Sequence, residues 1–221
     1  MQTQIPNPIM ILVDGSESFE FLQNIVTNDL NKLDEKQHNF ILTPQGRIKY
    51  EIFIYKGDNE DYLVECSNNQ NNILEYFQKY AELSDVSLNT TELLDNSISN
   101  ENYLINSISN GIIDTNFQET GKFFPSEISN NAIDYEKGCY VGQEVVSRMK
   151  HRQLNKNFIR VFEKIEFNEK LTKQTIDNFE IIDEYKDYLI IKFKVTAKEI
   201  YLKFNDNLYK LINKSILNSN Y

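Results

Sequence analysis

The sequence predicts an α+β protein, with antiparallel sheets and packed amphipathic helices over residues 1–154 and a small β-rich module over 155–221. Three observations carry this. Strand-like runs at 39–43, 47–55 and 61–66 are separated by turn chemistry at Pro44-Gln45-Gly46 and Lys56-Gly57-Asp58-Asn59. Apolar side chains recur at helical spacing after Ser16 and after Asn72. Beyond Asn155, alternation dominates in Phe158–Phe167, Phe179–Tyr185, Tyr188–Val195 and Glu199–Phe204, so a boundary falls near Gln153–Asn157. A chain of 221 residues buries roughly 70% of its unfolded surface, so the core needs no covalent staples.

Ile9–Val13 reads as the first strand, closed by Asp14-Gly15. Ser16 suits a helix N-cap, with Phe19, Leu22, Ile25 and Val26 on one face and a restart at Thr27–Leu30. The strand-like runs make an antiparallel meander. Within the middle one, Ile48, Tyr50, Ile52 and Ile54 alternate with Lys49, Glu51, Phe53 and Tyr55. Glu51 is then an acid among aromatics, read most simply as solvated. Asn68–Asn72 reads as a solvated loop or helix start, and Asn72–Glu82 as a helix packed through Ile73, Tyr76, Phe77 and Tyr80. Asn89–Asn102 reads as a loop, Leu104–Ile113 as a strand, and Gly121–Pro125 as a turn into an extended segment.

The net charge of -10 argues against general nucleic-acid binding. Charge is uneven, because Lys137–Arg160 is +5 and the remainder -15. Such an island suits a small polyanion, or is a plain surface patch. Cys66 and Cys139 are 73 positions apart, and His38 and His151 add no ligand spacing, which argues against a disulfide framework and a protein-only zinc site. No apolar run approaches a membrane span, and the start lacks a signal-peptide pattern. We therefore expect a soluble, cytoplasmic monomer.

The stretch 137-KGCYVGQEVVSRMKHR-152 stands apart. From Gly142 it can form a helix with Val145, Val146 and Met149 inward, which places Cys139 just before the N-terminus. The helix dipole and nearby Lys137 would favour thiolate there, while Gly138 and Gly142 permit angles or approaches that a Cβ forbids. The alternative is a structural cysteine, as Cys66 in its apolar strand is read to be.

Lys137-Gly138-Cys139-Tyr140-Val141-Gly142-Gln143-Glu144 resembles the signature of the YgfZ proteins, the folate-binding, iron–sulfur-maturation branch of the glycine-cleavage T-protein (aminomethyltransferase) superfamily. Further stretches agree in order: Phe21-Leu22-Gln23 with Val26-Thr27-Asn28-Asp29-Leu30, then Thr43-Pro44-Gln45-Gly46-Arg47-Ile48, then Gly121-Lys122-Phe123-Phe124-Pro125. The resemblance spans roughly residues 9–165. It implies T-protein-like folate-binding lobes and a C-terminal β-barrel, here abbreviated.

The family's functional cysteine maps onto Cys139. Glu51 stands, counting from Gly46, where true aminomethyltransferases carry the Asp that aligns the folate nitrogen for one-carbon transfer. The implied contacts for tetrahydrofolate or another folate are Arg47, Lys137, Gly138, Tyr140, Gly142, Gln143, Glu144, Arg148 and Arg152, with arginines offering bidentate bonds to a glutamate tail. Where the family carries charged residues before its cleft, this chain has Ser107-Ile108-Ser109-Asn110-Gly111. The expected function is a folate-dependent accessory protein for assembly or repair of iron–sulfur clusters in other enzymes, with client or assembly proteins as partners. A one-carbon transferase using tetrahydrofolate and a non-catalytic folate-binding module are the alternatives.

Overall fold

The structure, a computed structural model, describes residues 8–57, 59, 61–67, 73–91, 99–109, 121–154, 157–171, 175–176, 178–194 and 201–212. The Asn68–Asn72 run, Asn110-Gly111, Lys156 and the start of the Glu199–Phe204 run lie outside these residues.

Among the described residues the strands make two five-stranded sheets. The first runs in the order β2-β3-β4-β1-β5, from β1 (Pro8–Asp14), β2 (Lys36–Leu42), β3 (Ile48–Lys56), β4 (Tyr62–Ser67) and β5 (Ser87–Thr91). The second runs β7-β8-β6-β10-β9, from β6 (Asn157–Ile165), β7 (Phe179–Tyr185), β8 (Tyr188–Lys194), β9 (Tyr201–Phe204) and β10 (Asn207–Leu211). All neighbouring strands in both sheets pair antiparallel, and β2-β3-β4 is the expected meander.

One face of the first sheet packs on α1 (Ser18–Ile25) and α2 (Ile73–Ala81), through Ile11, Leu22, Ile52, Val64 and Phe77. Cys66 is buried in that cluster, as its strand predicts. On the other face, Phe40, Leu42 and Ile48 meet Leu104 and Ile108 of α3 (Asn100–Ser109) and Val146 of α5 (Gln143–His151). Ile159, Val161 and Ile190 of the second sheet join the same cluster, so the two sheets share a core. Each large side chain buried there contributes about 1.5–3 kcal/mol.

Several elements differ from expectation, each for a local reason. Ser16 does not cap α1; its hydroxyl donates to Asp85 Oδ2 at 2.6 Å and ties the helix start to the loop before β5, while Glu17 occupies the cap position. Phe21 is buried on the inner face, and Phe19 is only partly covered. Residues 100–109 are helical rather than extended, because Leu104 and Ile108, four apart, reach the core together. Part of the expected 89–102 loop is strand: Ser87–Thr91 is a mostly exposed, polar edge strand on β1. Pro125 opens a one-turn helix, α4 (Pro125–Ile128), where its fixed φ suits the first position.

A bulge also breaks the alternation of β3. Ile41 pairs with Tyr50 but Leu42 with Ile48, so Lys49 is the extra residue. Ile48 is thereby turned into the second cluster, away from the face that holds Tyr50, Ile52 and Ile54.

Candidate functional site

The four motifs, scattered along the sequence, are joined in space. Thr27 links three segments: its hydroxyl donates to the Ala132 carbonyl at 2.6 Å and accepts from the Phe40 N–H at 2.9 Å, and its carbonyl accepts from the Asp134 N–H at 3.0 Å. Lys137 then reaches back to the end of α1. Its ammonium donates to the carbonyls of Gln23, Val26 and Asn28 at 2.7, 2.7 and 2.9 Å. A cation there satisfies carbonyls that the ended helix leaves open and suits the negative end of its dipole. Burial lowers the Lys137 pKa to about 8, against partial support from Asp29 and Asp134.

The Thr43–Arg47 turn closes with the Gly46 N–H donating to the Thr43 carbonyl at 2.8 Å. Gly46 and Gly142 both hold left-handed φ, +73° and +84°, and approach each other there. A Cβ on Gly142 would stand 2.6 Å from the Thr43 oxygen and 3.1 Å from Gly46 Cα. Arg47 leaves the turn in the other direction, donating to the Lys122 carbonyl at 2.6 Å with its guanidinium 3.7 Å over the Phe124 ring.

Cys139 is exposed on the loop before α5, between exposed Gly138 and buried Tyr140. The Gln143 amide donates to the Lys137 carbonyl at 3.0 Å and closes the loop that presents the thiol. Gly142 is the N-cap of α5, whose Val146 is buried. Gly138 differs from its expected role: a Cβ there would meet nothing within 4 Å, and its φ lies outside the left-handed region. Burial raises the Tyr140 pKa.

The basic segment is divided. Lys137 and Arg160 are buried, and Arg160 donates to the carbonyls of Glu127, Ile128 and Ile159 at 2.7–2.8 Å. Arg148, Lys150 and Arg152 are exposed on or just beyond α5, and Arg148 pairs with Glu144 one turn earlier at 2.9 Å. Its positive charge therefore splits between helix-end support and a solvated helix face.

Glu51 is not solvated; it is 4% exposed, and His38 Nε2 donates to its Oε1 at 2.8 Å. His38 is in turn stacked on Phe53, ring centroids 4.8 Å apart. Register places a second acid on this face, because Glu65 pairs with Phe53, two residues from Glu51. Glu65 is buried and accepts from the Tyr103 hydroxyl of α3 at 2.7 Å, from the Tyr55 hydroxyl, and from Lys36 Nζ at 3.5 Å. Burial and the Glu65 charge push the Tyr55 hydroxyl pKa well up.

Sequence reasoning gave His38, Glu65, Lys36, Tyr55 and Tyr103 no role. The available signal was a lone acid inside the apolar run 61–66; the missing one was cross-strand register. Ser109 is exposed on α3 and donates to the Asn106 carbonyl at 3.0 Å. Among the described residues no group of three or more His, Cys, Asp or Glu side chains is placed to hold a metal ion, and no helix is long and apolar enough to cross a membrane.

No family model matches the chain. Among curated proteins it is 39% identical over 56 residues to the aminomethyltransferase of Caldanaerobacter subterraneus subsp. tengcongensis, covering 24% of this chain and 15% of that protein. It is 39% identical over 51 residues to the tRNA-modifying protein YgfZ of Buchnera aphidicola subsp. Baizongia pistaciae, covering 22% of this chain and 15% of the relative. These matches thus span less than a fifth of either relative's length. The fold is that of aminomethyltransferase T of the Bartonella henselae glycine cleavage system, with a TM-score of 0.59 at 11% identity, over 95% of this chain and 83% of that one. The motifs assembled on that fold and the local identity to both kinds of relative support membership of the T-protein aminomethyltransferase and YgfZ superfamily.

Proposed function

We propose that this protein is a folate-binding accessory factor that supports assembly or repair of iron–sulfur clusters in other enzymes, with Cys139 as its acting group. The observation that carries the reading is the placement of Cys139: an exposed thiol on a loop braced by Lys137, Gln143 and the Gly46–Gly142 contact. The chain has two cysteines, and Cys66 is in the core, so it does not itself carry a cluster-ligating set. Residues 1–154 form the folate-binding part in this reading, and 155–221 the β module.

The polar residues on the α3 side of the first sheet fit a folate by their chemistry. A pterin presents amino and ring N–H donors, and Glu51 and Glu65 are buried carboxylate acceptors on one face. His38 fixes the orientation of the Glu51 carboxylate, and Tyr103 that of Glu65. Exposed Arg152 remains for a glutamate tail, with Arg148 joining it on exchange of its Glu144 partner, whereas Lys137 and Arg47 already donate to backbone carbonyls. Tetrahydrofolate, when bound, supplies a nitrogen able to carry a one-carbon unit.

The test joins calorimetric titration with tetrahydrofolate to assays of [4Fe–4S] enzymes in a strain lacking the gene. Saturable binding together with reduced cluster-enzyme activity, rescued by wild type and not by Cys139→Ala, is the expected result. Normal cluster-enzyme activity in the deletion strain overturns the reading. A second reading, a one-carbon transferase using tetrahydrofolate, is favoured by the His38–Glu51 pair, which would hold a carboxylate ready beside an amine. Transfer from a methylene-loaded folate to an acceptor, lost in Glu51→Gln and kept in Cys139→Ala, would select it.

A further inference from the structure

The bulge in β3 creates a feature that the folate reading does not use. A cavity of about 230 Å³ lies at the turn end of β2 and β3, lined by Leu42, Thr43, Pro44, Lys49, Tyr76, Tyr80 and Gly121. Lys49, the bulged residue, turns its ammonium over the Tyr76 ring, 3.9 Å from the centroid. Among the described residues no carboxylate lies within ion-pair distance of it. The charge that acts on it is another cation, Lys79, which adds to partial burial in lowering its pKa, while Glu75 acts on Tyr50 instead.

A second polar group there also lacks an ordinary partner. Among the described residues the Tyr76 hydroxyl is buried without a hydrogen bond of acceptable geometry, although the neighbouring Tyr80 hydroxyl acts on it and, after burial, raises its pKa. Rings and apolar side chains of Tyr76, Tyr80, Leu42 and Pro44 form the rest of the wall. The volume is below the ~300–1,000 Å³ typical of sites for drug-sized ligands, which suits one ring with one charged head.

We propose that this cavity binds a small aromatic carboxylate, its oxygens taken by the Lys49 ammonium and the Tyr76 hydroxyl and its ring by Tyr80, Leu42 and Pro44. The anion supplies a counter-charge that no described residue gives Lys49 and an acceptor for the Tyr76 hydroxyl besides its neighbour Tyr80. This site is separate from the Glu51–Glu65 face and does not depend on folate binding there.

The experiment is an NMR titration of the isotope-labelled full chain with benzoate, with benzyl alcohol and inorganic phosphate as parallel arms. We expect saturable shifts at Thr43, Lys49 and Tyr76 with benzoate and none with benzyl alcohol. Lys49→Met should weaken binding about tenfold, for loss of a charge-assisted bond. Tyr76→Phe should weaken it about fivefold while melting close to wild type, because among the described residues the deleted hydroxyl makes no hydrogen bond of ordinary geometry. Absence of saturable benzoate shifts, equal binding of benzyl alcohol, unchanged affinity in Lys49→Met, or saturation by phosphate in place of benzoate overturns the proposal. Tetrahydrofolate binding measured on Lys49→Met separates the two sites, since it should be unchanged.

Discussion

Gly46 and Gly142, 96 positions apart in the sequence, pack backbone against backbone, so that a Cβ on Gly142 would stand 3.1 Å from Gly46 Cα. The contact docks the Thr43–Arg47 turn onto the N-cap of α5 and sets the distance between the two motifs. A side chain at Gly142 would also meet the Thr43 carbonyl oxygen at 2.6 Å, and φ there is +84°. We expect Gly142→Ala to cost about 2–4 kcal/mol, from left-handed strain together with backbone displacement. Gly138→Ala, with open space around it, should stay within about 0.5 kcal/mol of wild type. Urea unfolding of the two variants measures the difference, and equal stabilities would show that the Gly46–Gly142 contact does not require glycine.

Lys137 gives a pH signature. Its pKa is about 8 in the folded chain against an ordinary 10.5. Between those values the unfolded chain holds a proton that the folded chain has released. The unfolding free energy contributed by this group therefore rises as pH increases from about 8 toward 10.5. Lys137→Met should lose that part of the slope. At pH 7 it should also be about 2–4 kcal/mol less stable, with three carbonyls left without their donor. Denaturant midpoints at neutral and alkaline pH provide the check.

The His38–Glu51 pair separates function from packing. Glu51→Gln keeps an acceptor for His38 and nearly the same volume, so its melting temperature should fall by no more than about 4 °C. If the carboxylate orients a folate amine, tetrahydrofolate affinity should fall about tenfold or more, as expected for loss of a charge-assisted bond. Unchanged affinity would make the pair a structural one. Calorimetry on the purified variant decides it.

The two cysteines should behave differently toward solvent. Cys139 is exposed and should react with an aromatic disulfide reagent in the native protein, whereas Cys66, buried in the first core cluster, should react only on unfolding. Cys139→Ala should leave stability within about 0.5 kcal/mol and abolish complementation, and Cys66→Ala should cost about 1 kcal/mol through a small cavity. Full complementation by Cys139→Ala would return that loop to a purely structural role.

Patterns that repeat along the chain were readable without coordinates. Turn residues at 44–46 and 56–59 delimited the meander, α2 followed from apolar spacing, and the glycine-flanked motif marked the loop that presents Cys139. Such signals are local, because propensity and spacing act between residues a few positions apart. The tertiary structure decided everything that depends on register and on distant partners. The bulge at Lys49 reversed the facing of Ile48, pairing placed Glu65 beside Phe53, and His38 became the partner of an acid that alternation alone left in solvent. Lys137 and Arg160, counted as surface charge, lie inside because carbonyls at helix ends more than 30 residues away need donors. Those contacts follow from strand pairing and helix docking, which a one-residue shift would alter throughout while leaving composition and local spacing unchanged.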